Sequence, residues 1–415
     1  MRRSIGLLAV AATVLSLGLA TSVTAQEAAS GPKLIIPSSS VENRSDIGVR
    51  AHTNVRMLFA SGEVEPASSP GPTFETPASI ACVYNLVKPV AGCPISGTST
   101  NPSGGSGAIA IVDAYDDPNA TSDLATFSSF YGLPAANFSV VYATGTKPPA
   151  DSSGGWELEE SLDIEWAHAM APNAALYLVE AQSNSYNDLF TAENVAASLV
   201  AAAGGGEVSN SWSGGEFSGE IGDDKNFRVT GAVYLASTGD SAFALGYPAV
   251  SPYVVAVGGT SLKYSGSTGK FNSEQFWDNQ YGGGGGGLSV YEKTPPYQNG
   301  ISSIVGTHRG VPDVSADADP VSGAAVYDSY PYFGTAYGWI QVGGTSFSCP
   351  TWAGILNSAG HFYAKTALEL STIYADYAGA RYSHQFRDIT AGNSNCTTGW
   401  DICTGVGSPL SYAGK

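Results

Sequence analysis

Ser346 is the residue of this chain best placed to act as a nucleophile. It stands in Gly343-Gly344-Thr345-Ser346-Phe347-Ser348-Cys349-Pro350, after the apolar run Gly338-Trp339-Ile340-Gln341-Val342 and before the helical pattern Thr351-Trp352-Ala353-Gly354-Ile355-Leu356. A serine at the mouth of a helix faces unpaired backbone N–H groups and the positive end of the helix dipole. Both favour an alkoxide-like nucleophile and a developing oxyanion. Pro350 suits the first helical turn, where no N–H is needed. A Ser/Thr helix cap has the same local signature, so the assignment turns on whether a base is available.

Histidine is the usual base. The five histidines are 52, 168, 308, 361 and 384, and none lies in a His-Gly-Thr setting at a helix start. His168 sits mid-helix, three residues after Glu165. That is one half of a di-metal Glu-x-x-His pattern whose second half is missing. A packed or capped histidine is expected, and a Ser–His–Asp arrangement through His168 is the rival to test. Carboxylates are the better candidates. Glu159 and Asp163 are four apart on one predicted helix, so they share a face. Two acids so placed repel when both ionise and tend to hold one proton between them, which suits acid–base work at mildly acidic pH. A solvated acidic face is the competing reading, because Glu157, Glu160 and Glu165 crowd the same helix. Asp240, in Ser237-Thr238-Gly239-Asp240-Ser241, follows a strand. Protonated, it could donate to an oxyanion; otherwise it is a turn aspartate. Asp113 ends the run Ile111-Val112-Asp113 and, with no histidine to orient, is expected to be structural or to line a groove.

The elements that must carry these residues alternate. Buried-strand runs are read at 108–113, 138–142, 175–179, 208–212, 233–237 and 253–257, and helical spacing at 122–131, 157–170 and 192–203. Strands separated by helices predict an α/β fold, a largely parallel central sheet with helices on both faces. The candidate residues fall at strand ends and helix starts, where open α/β sheets place their sites. Gly282 to Gly287, six glycines in a row, is either a linker or a place where backbone approaches a ligand. There is no internal repeat.

Acidic residues outnumber basic ones 36 to 18, for a formal charge of −18, and no Lys/Arg cluster follows a phosphate backbone. A nucleic-acid partner is therefore not expected. The low charged fraction, 13%, leaves few carboxylate–cation pairs to lose on acidification. Residues 1–25 read as a signal peptide: Arg2 and Arg3, the apolar stretch Ile5 to Ala20, and Val23-Thr24-Ala25 before Gln26. No other stretch is long and apolar enough to span a bilayer, so a secreted monomer without membrane attachment is expected. Residues 26–73, rich in Ser, Pro and Gly, read as an extended lead-in. In an oxidising compartment Cys82–Cys93 and Cys396–Cys403 would close short loops. Cys349 is left as a small buried thiol, with no basic neighbour to lower its pKa. The stretch from Phe386 to Asp401 offers two carboxylates and several carbonyls in a tight Gly-rich loop, hard oxygen ligands that suit Ca²⁺. A turn held by Cys396–Cys403 is the alternative.

These residues together resemble the sedolisin family of serine-carboxyl peptidases. The likeness runs from about Phe74 to the C-terminus, residues 74–415. It is carried by Thr76-Pro77 with Tyr84-Asn85, Glu159-x-x-x-Asp163-Ile164-Glu165, Ser211-Trp212, Ser237-Thr238-Gly239-Asp240, Gly344-Thr345-Ser346 with Pro350, and Asp388-Ile389 with Gly399-Trp400-Asp401. The resemblance implies a subtilisin-like fold and hydrolysis of protein or peptide substrates at acidic pH. It implies Ser346 as nucleophile, Glu159 as general base, Asp163 as its supporting acid and Asp240 as oxyanion donor. It also implies one structural Ca²⁺ on the carboxylates of Asp388 and Asp401 and the carbonyls of Ile389, Thr397 and Gly399. Two positions depart from the family pattern: Gly343 stands for the usual Ser, and Thr397 for a usual Gly. The family's long N-terminal propeptide domain has room here for fewer than 50 residues between Ala25 and Phe74. Endopeptidase, tripeptidyl exopeptidase and an inactive peptide-binding relative all remain open at this point.

Overall fold

A computed structural model of the chain describes residues 31–59, 65–266 and 268–415; the signal peptide read at 1–25 lies outside them. In chain order the strands that matter are β1 (Lys33–Ile35), β2 (His52–Thr53), β3 (Arg56–Phe59), β4 (Ala108–Ala114), β5 (Asn137–Tyr142), β6 (Ala175–Ala181), β7 (Gly206–Asn210), β8 (Trp212–Gly215), β9 (Val233–Ser237), β10 (Gly246–Tyr247), β11 (Val255–Tyr264), β12 (Phe271–Phe276), β13 (Val314–Asp317), β14 (Ala324–Asp328) and β15 (Gly338–Gly343). The principal helices are α1 (Pro77–Val83), α2 (Ala120–Tyr131), α3 (Gly155–Met170), α4 (Tyr186–Ala202), α5 (Thr345–Ala359) and α6 (Thr366–Tyr377).

The central sheet has eight strands. It runs β12-β11-β9-β7-β4-β6-β5, with β13 also paired to β11. All its pairings are parallel except β11–β12. The period of two along β4 divides the core. Ile109 and Ile111 face a cluster with Leu158, Leu162 and Leu356 of α3 and α5, while Ala110 and Val112 face Leu189, Ala196 and Val200 of α4. Helices thus cover both faces, as the alternating pattern predicts. α3 is buried along its whole length and crosses α5 closely. A Cβ at Gly354 would lie 2.4 Å from the Met170 Cβ, so only glycine lets the helices approach this far.

The segment 26–73, expected as an extended lead-in, is stitched into the body wherever it forms strands. β3 joins a four-stranded sheet, β1-β3-β15-β14, and β2 joins another, β10-β8-β2. The glycine run 282–287 is not a linker. A Cβ at Gly285 would meet the Thr238 carbonyl oxygen at 2.1 Å, so these glycines admit close packing of backbone on backbone. The expected disulfides Cys82–Cys93 and Cys396–Cys403 are both present, and Cys349 is free and buried. Among the described residues no helix is long and apolar enough to cross a membrane.

Candidate active site

Ser346 lies in the first turn of α5, just past β15. Gly344 makes the junction possible. Its φ is +111°, and a Cβ there would fall 2.0 Å from the Asn54 carbonyl oxygen and 2.7 Å from Asp240 Oδ2. The Ser346 hydroxyl donates to the Ser211 carbonyl at 3.1 Å and accepts from the Asn54 N–H at 3.2 Å. Its backbone N–H donates to the Asn54 carbonyl at 3.1 Å.

α3 brings its acids to this point. Glu159 is buried beside Ser346. Desolvation raises its pKa well above the usual carboxyl range, repulsion from Asp163 and Asp113 adds to this, and the Ser346 hydroxyl opposes it. In this arrangement the serine hydroxyl is turned to Ser211, and neither Glu159 oxygen has a well-formed hydrogen bond. Asp163, one turn further on, is buried with no hydrogen-bond partner for either oxygen. Burial raises its pKa, and Ser211 pulls the other way. Asp113, at the end of β4, is the third member, raised by burial and then by Asp163 and Glu180. Its expected groove-lining or structural place becomes a place in the buried carboxyl group around Glu159. A solvated acidic face is ruled out for Glu159 and Asp163, since both are fully buried.

Asp240 approaches from the other side. Its Oδ1 accepts from the Thr345 N–H at 2.7 Å and the Thr345 hydroxyl at 3.0 Å, and its Oδ2 has no hydrogen bond. Burial raises its pKa, opposed by Arg56, whose Nη1 lies 3.6 Å from Oδ2, and by Thr345. His168 is not part of this group. It is nine residues beyond Glu159 on α3, roughly 13 Å along the axis, and its Nε2 lies 2.9 Å from the Pro134 carbonyl oxygen. The Ser–His–Asp rival therefore lacks its histidine. Cys349 packs 3.4 Å from the Ser209 hydroxyl, with its thiol pKa raised by burial, as expected for an inert thiol.

Asn54 and Arg56 were not singled out by the sequence reading, and nothing in their local composition marks them. They reach the site only because β2 and β3 pair with strands more than 150 residues away.

The carboxylates expected to hold calcium, Asp388 and Asp401, are bonded to the N–H groups of Gly399 and Thr397 in one C-terminal loop. Asp401 is buried. Its Oδ2 accepts from the Thr397 N–H at 2.6 Å, and its Oδ1 accepts from the N–H groups of Cys403 and Thr404, each at 3.0 Å. Asp388 Oδ2 accepts from the Gly399 N–H at 3.0 Å. Asp401 is raised to about 6, first by burial and also by repulsion from Asp388. Two carboxylates repelling each other, with no cation among the groups acting on Asp401, are a donor set that fits a hard divalent ion. Cys396 and Cys403, which lie beside Asp401, are joined to each other and offer no thiolate.

No family model matches this chain. Kumamolisin of Bacillus sp. (strain MN-32) is 30% identical over 397 residues, covering 87% of this chain and 66% of kumamolisin. Sedolisin of Pseudomonas sp. (strain 101) is 26% identical over 360 residues, covering 75% and 57%. The chain belongs to the sedolisin family. It spans less than two thirds of the length of these relatives. Tripeptidyl-peptidase 1 of Dictyostelium discoideum is also similar, 27% identical over 357 residues, covering 76% of this chain and 55% of that protein. Among solved structures, Pseudomonas sedolisin, a serine-carboxyl proteinase in complex with two molecules of pseudo-iodotyrostatin, matches with a TM-score of 0.66. The identity is 23%, over 83% of this chain and 96% of that one. S41 psychrophilic protease matches with a TM-score of 0.51 and 17% identity, over 81% and 98%. These structural likenesses concern the fold, which is subtilisin-like.

Proposed function

We propose that this sedolisin-family chain is a secreted serine-carboxyl endopeptidase that hydrolyses protein and peptide substrates at acidic pH, with Ser346 as nucleophile. The observation that carries this reading is the convergence of one hydroxyl with three buried carboxyl groups. Glu159, Asp163 and Asp240 come from two elements, all are raised by burial, and at least one oxygen of each has no protein partner. A fold left with such groups in its core has desolvated them at a cost that only Asp240, with Arg56 at 3.6 Å, offsets in part by an ion pair.

In the proposed chemistry the Ser346 hydroxyl rotates from Ser211 to Glu159 and gives up its proton as Oγ attacks the scissile carbonyl carbon. Glu159 then returns that proton to the leaving amine, and Asp163 holds Glu159 in place. Protonated Asp240 and the Ser346 N–H donate to the oxyanion. The sign of the pH effect follows. Asp240 donates only while it holds its proton, so activity falls as pH rises through its raised pKa. Asp388 and Asp401, with the carbonyls of Ile389, Thr397 and Gly399, would hold one Ca²⁺ that stabilises the C-terminal loop by binding only the folded state. The signal peptide read at 1–25 would direct export, and the mature chain would work as a monomer outside the cell.

The direct test is hydrolysis of denatured casein at acidic pH by the wild type and by Ser346→Ala. Loss of at least about 10³-fold in rate in the folded variant is the expected result. Equal hydrolysis by both would remove Ser346 from the reaction. No hydrolysis by either would favour an inactive peptide-binding relative. Release of tripeptides alone would assign exopeptidase action.

A further inference from the structure

The groove in front of Ser346 holds a stretch of the chain itself, and that stretch shows what the groove grips. Every residue from Ala51 to Phe59 is buried. The Asn54 carbonyl accepts from the Ser346 N–H at 3.1 Å, in the notch left by the missing Gly344 side chain and beside Asp240. It stands where a scissile carbonyl would meet the nucleophile. Counting back from Asn54, Thr53 pairs with Trp212 and His52 with Ser213, antiparallel, on β8. The fourth residue back, Ala51, is taken up instead by the turn between β6 and α4. Asn184 holds the Ala51 main chain at both ends: its carbonyl accepts from the Ala51 N–H at 2.9 Å, and its Nδ2 donates to the Ala51 carbonyl at 2.7 Å. Pairing continues outward. Arg50 bridges Ser185, antiparallel, and the Val49 carbonyl accepts from the Tyr186 N–H at 3.0 Å. A site that releases tripeptides must stop the chain after its third residue, and this groove goes on pairing past it.

The Asn184 amide is held in its orientation by residues that touch nothing in the groove stretch themselves. The Tyr115 hydroxyl donates to Asn184 Oδ1 at 3.3 Å, which leaves Nδ2 as the end facing Ala51. Tyr115 follows β4 with a φ of +78°, a left-handed conformation rare for an aromatic residue. Its N–H donates to the Ala181 carbonyl at 2.9 Å, and its ring lies against Trp156 with centroids 6.2 Å apart. On the other flank Ser185 caps α4, its hydroxyl accepting from the Asp188 N–H at 3.2 Å. The Ala51 side chain is fully buried in a cluster with Val112, Trp156, Tyr186 and Trp212, so the fourth place is apolar as well as gripped.

We propose that Asn184, oriented by Tyr115, binds the main chain of the fourth substrate residue ahead of the scissile bond, so that this protein selects peptides that extend at least that far and carry an apolar side chain there. The proposal rests on the peptidase reading above and adds to it a substrate-binding residue, a positioning residue and a minimum length. Asn184 touches the substrate; Tyr115 acts through Asn184. The gain comes from one carboxamide donor meeting one main-chain carbonyl. A substrate that ends in a free amine at its third residue has no carbonyl to offer and leaves the buried Nδ2 without that partner.

The test starts from a bond that the purified protein cuts in denatured casein at acidic pH. Synthetic peptides spanning that bond carry three residues ahead of it with a free amine, the same three with an acetyl group, or four with Ala or Lys in the fourth place. The acetyl carbonyl falls where the Ala51 carbonyl lies. From the free to the acetylated three-residue peptide kcat/KM should rise at least about 10-fold. In Asn184→Ala that ratio should fall to about 1, and in Tyr115→Phe to an intermediate value. Ala in the fourth place should be preferred to Lys by at least about 10-fold. A ratio that survives Asn184→Ala, or fastest cutting of the free three-residue peptide, overturns the proposal and leaves the peptidase reading standing. Where Asn184→Ala does not fold, an unchanged ratio in Tyr115→Phe overturns it. Equal kcat/KM for Ala and Lys overturns the apolar place. Failure to cut casein at all overturns the reading on which the proposal rests.

Discussion

Two buried charged regions of this molecule are built on opposite principles. Around Arg309 and Asp313 opposite charges are paired. Arg309 Nη1 donates to Asp313 Oδ1 at 2.8 Å, and the same carboxylate accepts from the Tyr374 hydroxyl at 2.8 Å and the Ala256 N–H at 2.9 Å. Around Ser346 like charges are gathered. Asp113, Glu159 and Asp163 have six carboxyl oxygens without hydrogen-bond partners and repel one another. The first arrangement holds charge by supplying a counter-charge and hydrogen bonds. The second can keep its groups buried only by sharing protons among them. A fold that does the first competently and still leaves the second uncompensated retains those acids for their chemistry, not for stability.

Substitutions separate the two regions. Glu159→Gln, which keeps shape and removes the titrating group, should lower the rate of peptide hydrolysis by at least about 10³-fold without lowering the melting temperature. Asp313→Ala should leave an unpaired buried guanidinium and cost about 3–5 kcal/mol in denaturant unfolding. A smaller loss there would mean that Arg309 finds other partners. Exhaustive chelation, or Asp401→Ala, should remove about 2–3 kcal/mol of stability if calcium is held at near-saturating concentration. An unchanged melting curve would remove the metal from this account. Asp113→Asn should shift stability least, by about 1 kcal/mol or less, and toward greater stability at neutral pH, because it deletes repulsion.

The same contrast sets the pH dependence of stability. Outside the catalytic group, burial raises Glu75 from 4.5 to about 7, Asp117 from 3.8 to about 7 and Glu157 from 4.5 to about 8. Groups raised on folding bind more protons in the native state than in the unfolded one. Their stabilisation is complete below the unfolded values near 4 and is lost as pH climbs through 7 to 8. Thermal unfolding should therefore show a higher melting temperature at pH 4 than at pH 8. The reverse order would mean that these carboxyls are ionised and solvated in the native state.

The strands and helices of the sheet were legible because their periodicity is local. Ala108 to Asp113 shows its burial in residue order, and β4 and α3 end within a residue of the expected bounds, whereas β11 runs on to Tyr264 past the expected 257 and α4 starts at Tyr186 ahead of the expected 192. The carboxyl pair on α3 was legible for the same reason, since four residues fix a shared face. What the sequence concealed depends on distant pairing. His52-Thr53-Asn54 has no pattern of its own and becomes a groove-filling strand only against Ser211–Gly215. The six glycines read equally as a linker or as backbone approaching a ligand until Thr238 and Ile402 are brought against them. Asp113 could be placed at a strand end but not beside Asp163, because β4 and α3 meet only in the folded sheet.

The central claim is that buried carboxyls, and no imidazole, run the reaction. The measurement that addresses it most directly is the pH profile of kcat/KM for hydrolysis of a denatured protein by the wild type, Glu159→Gln and His168→Ala. We expect a maximum at acidic pH for the wild type, the same profile for His168→Ala, and near-complete loss for Glu159→Gln. A wild-type maximum at or above neutral pH, or loss confined to His168→Ala, would contradict the account.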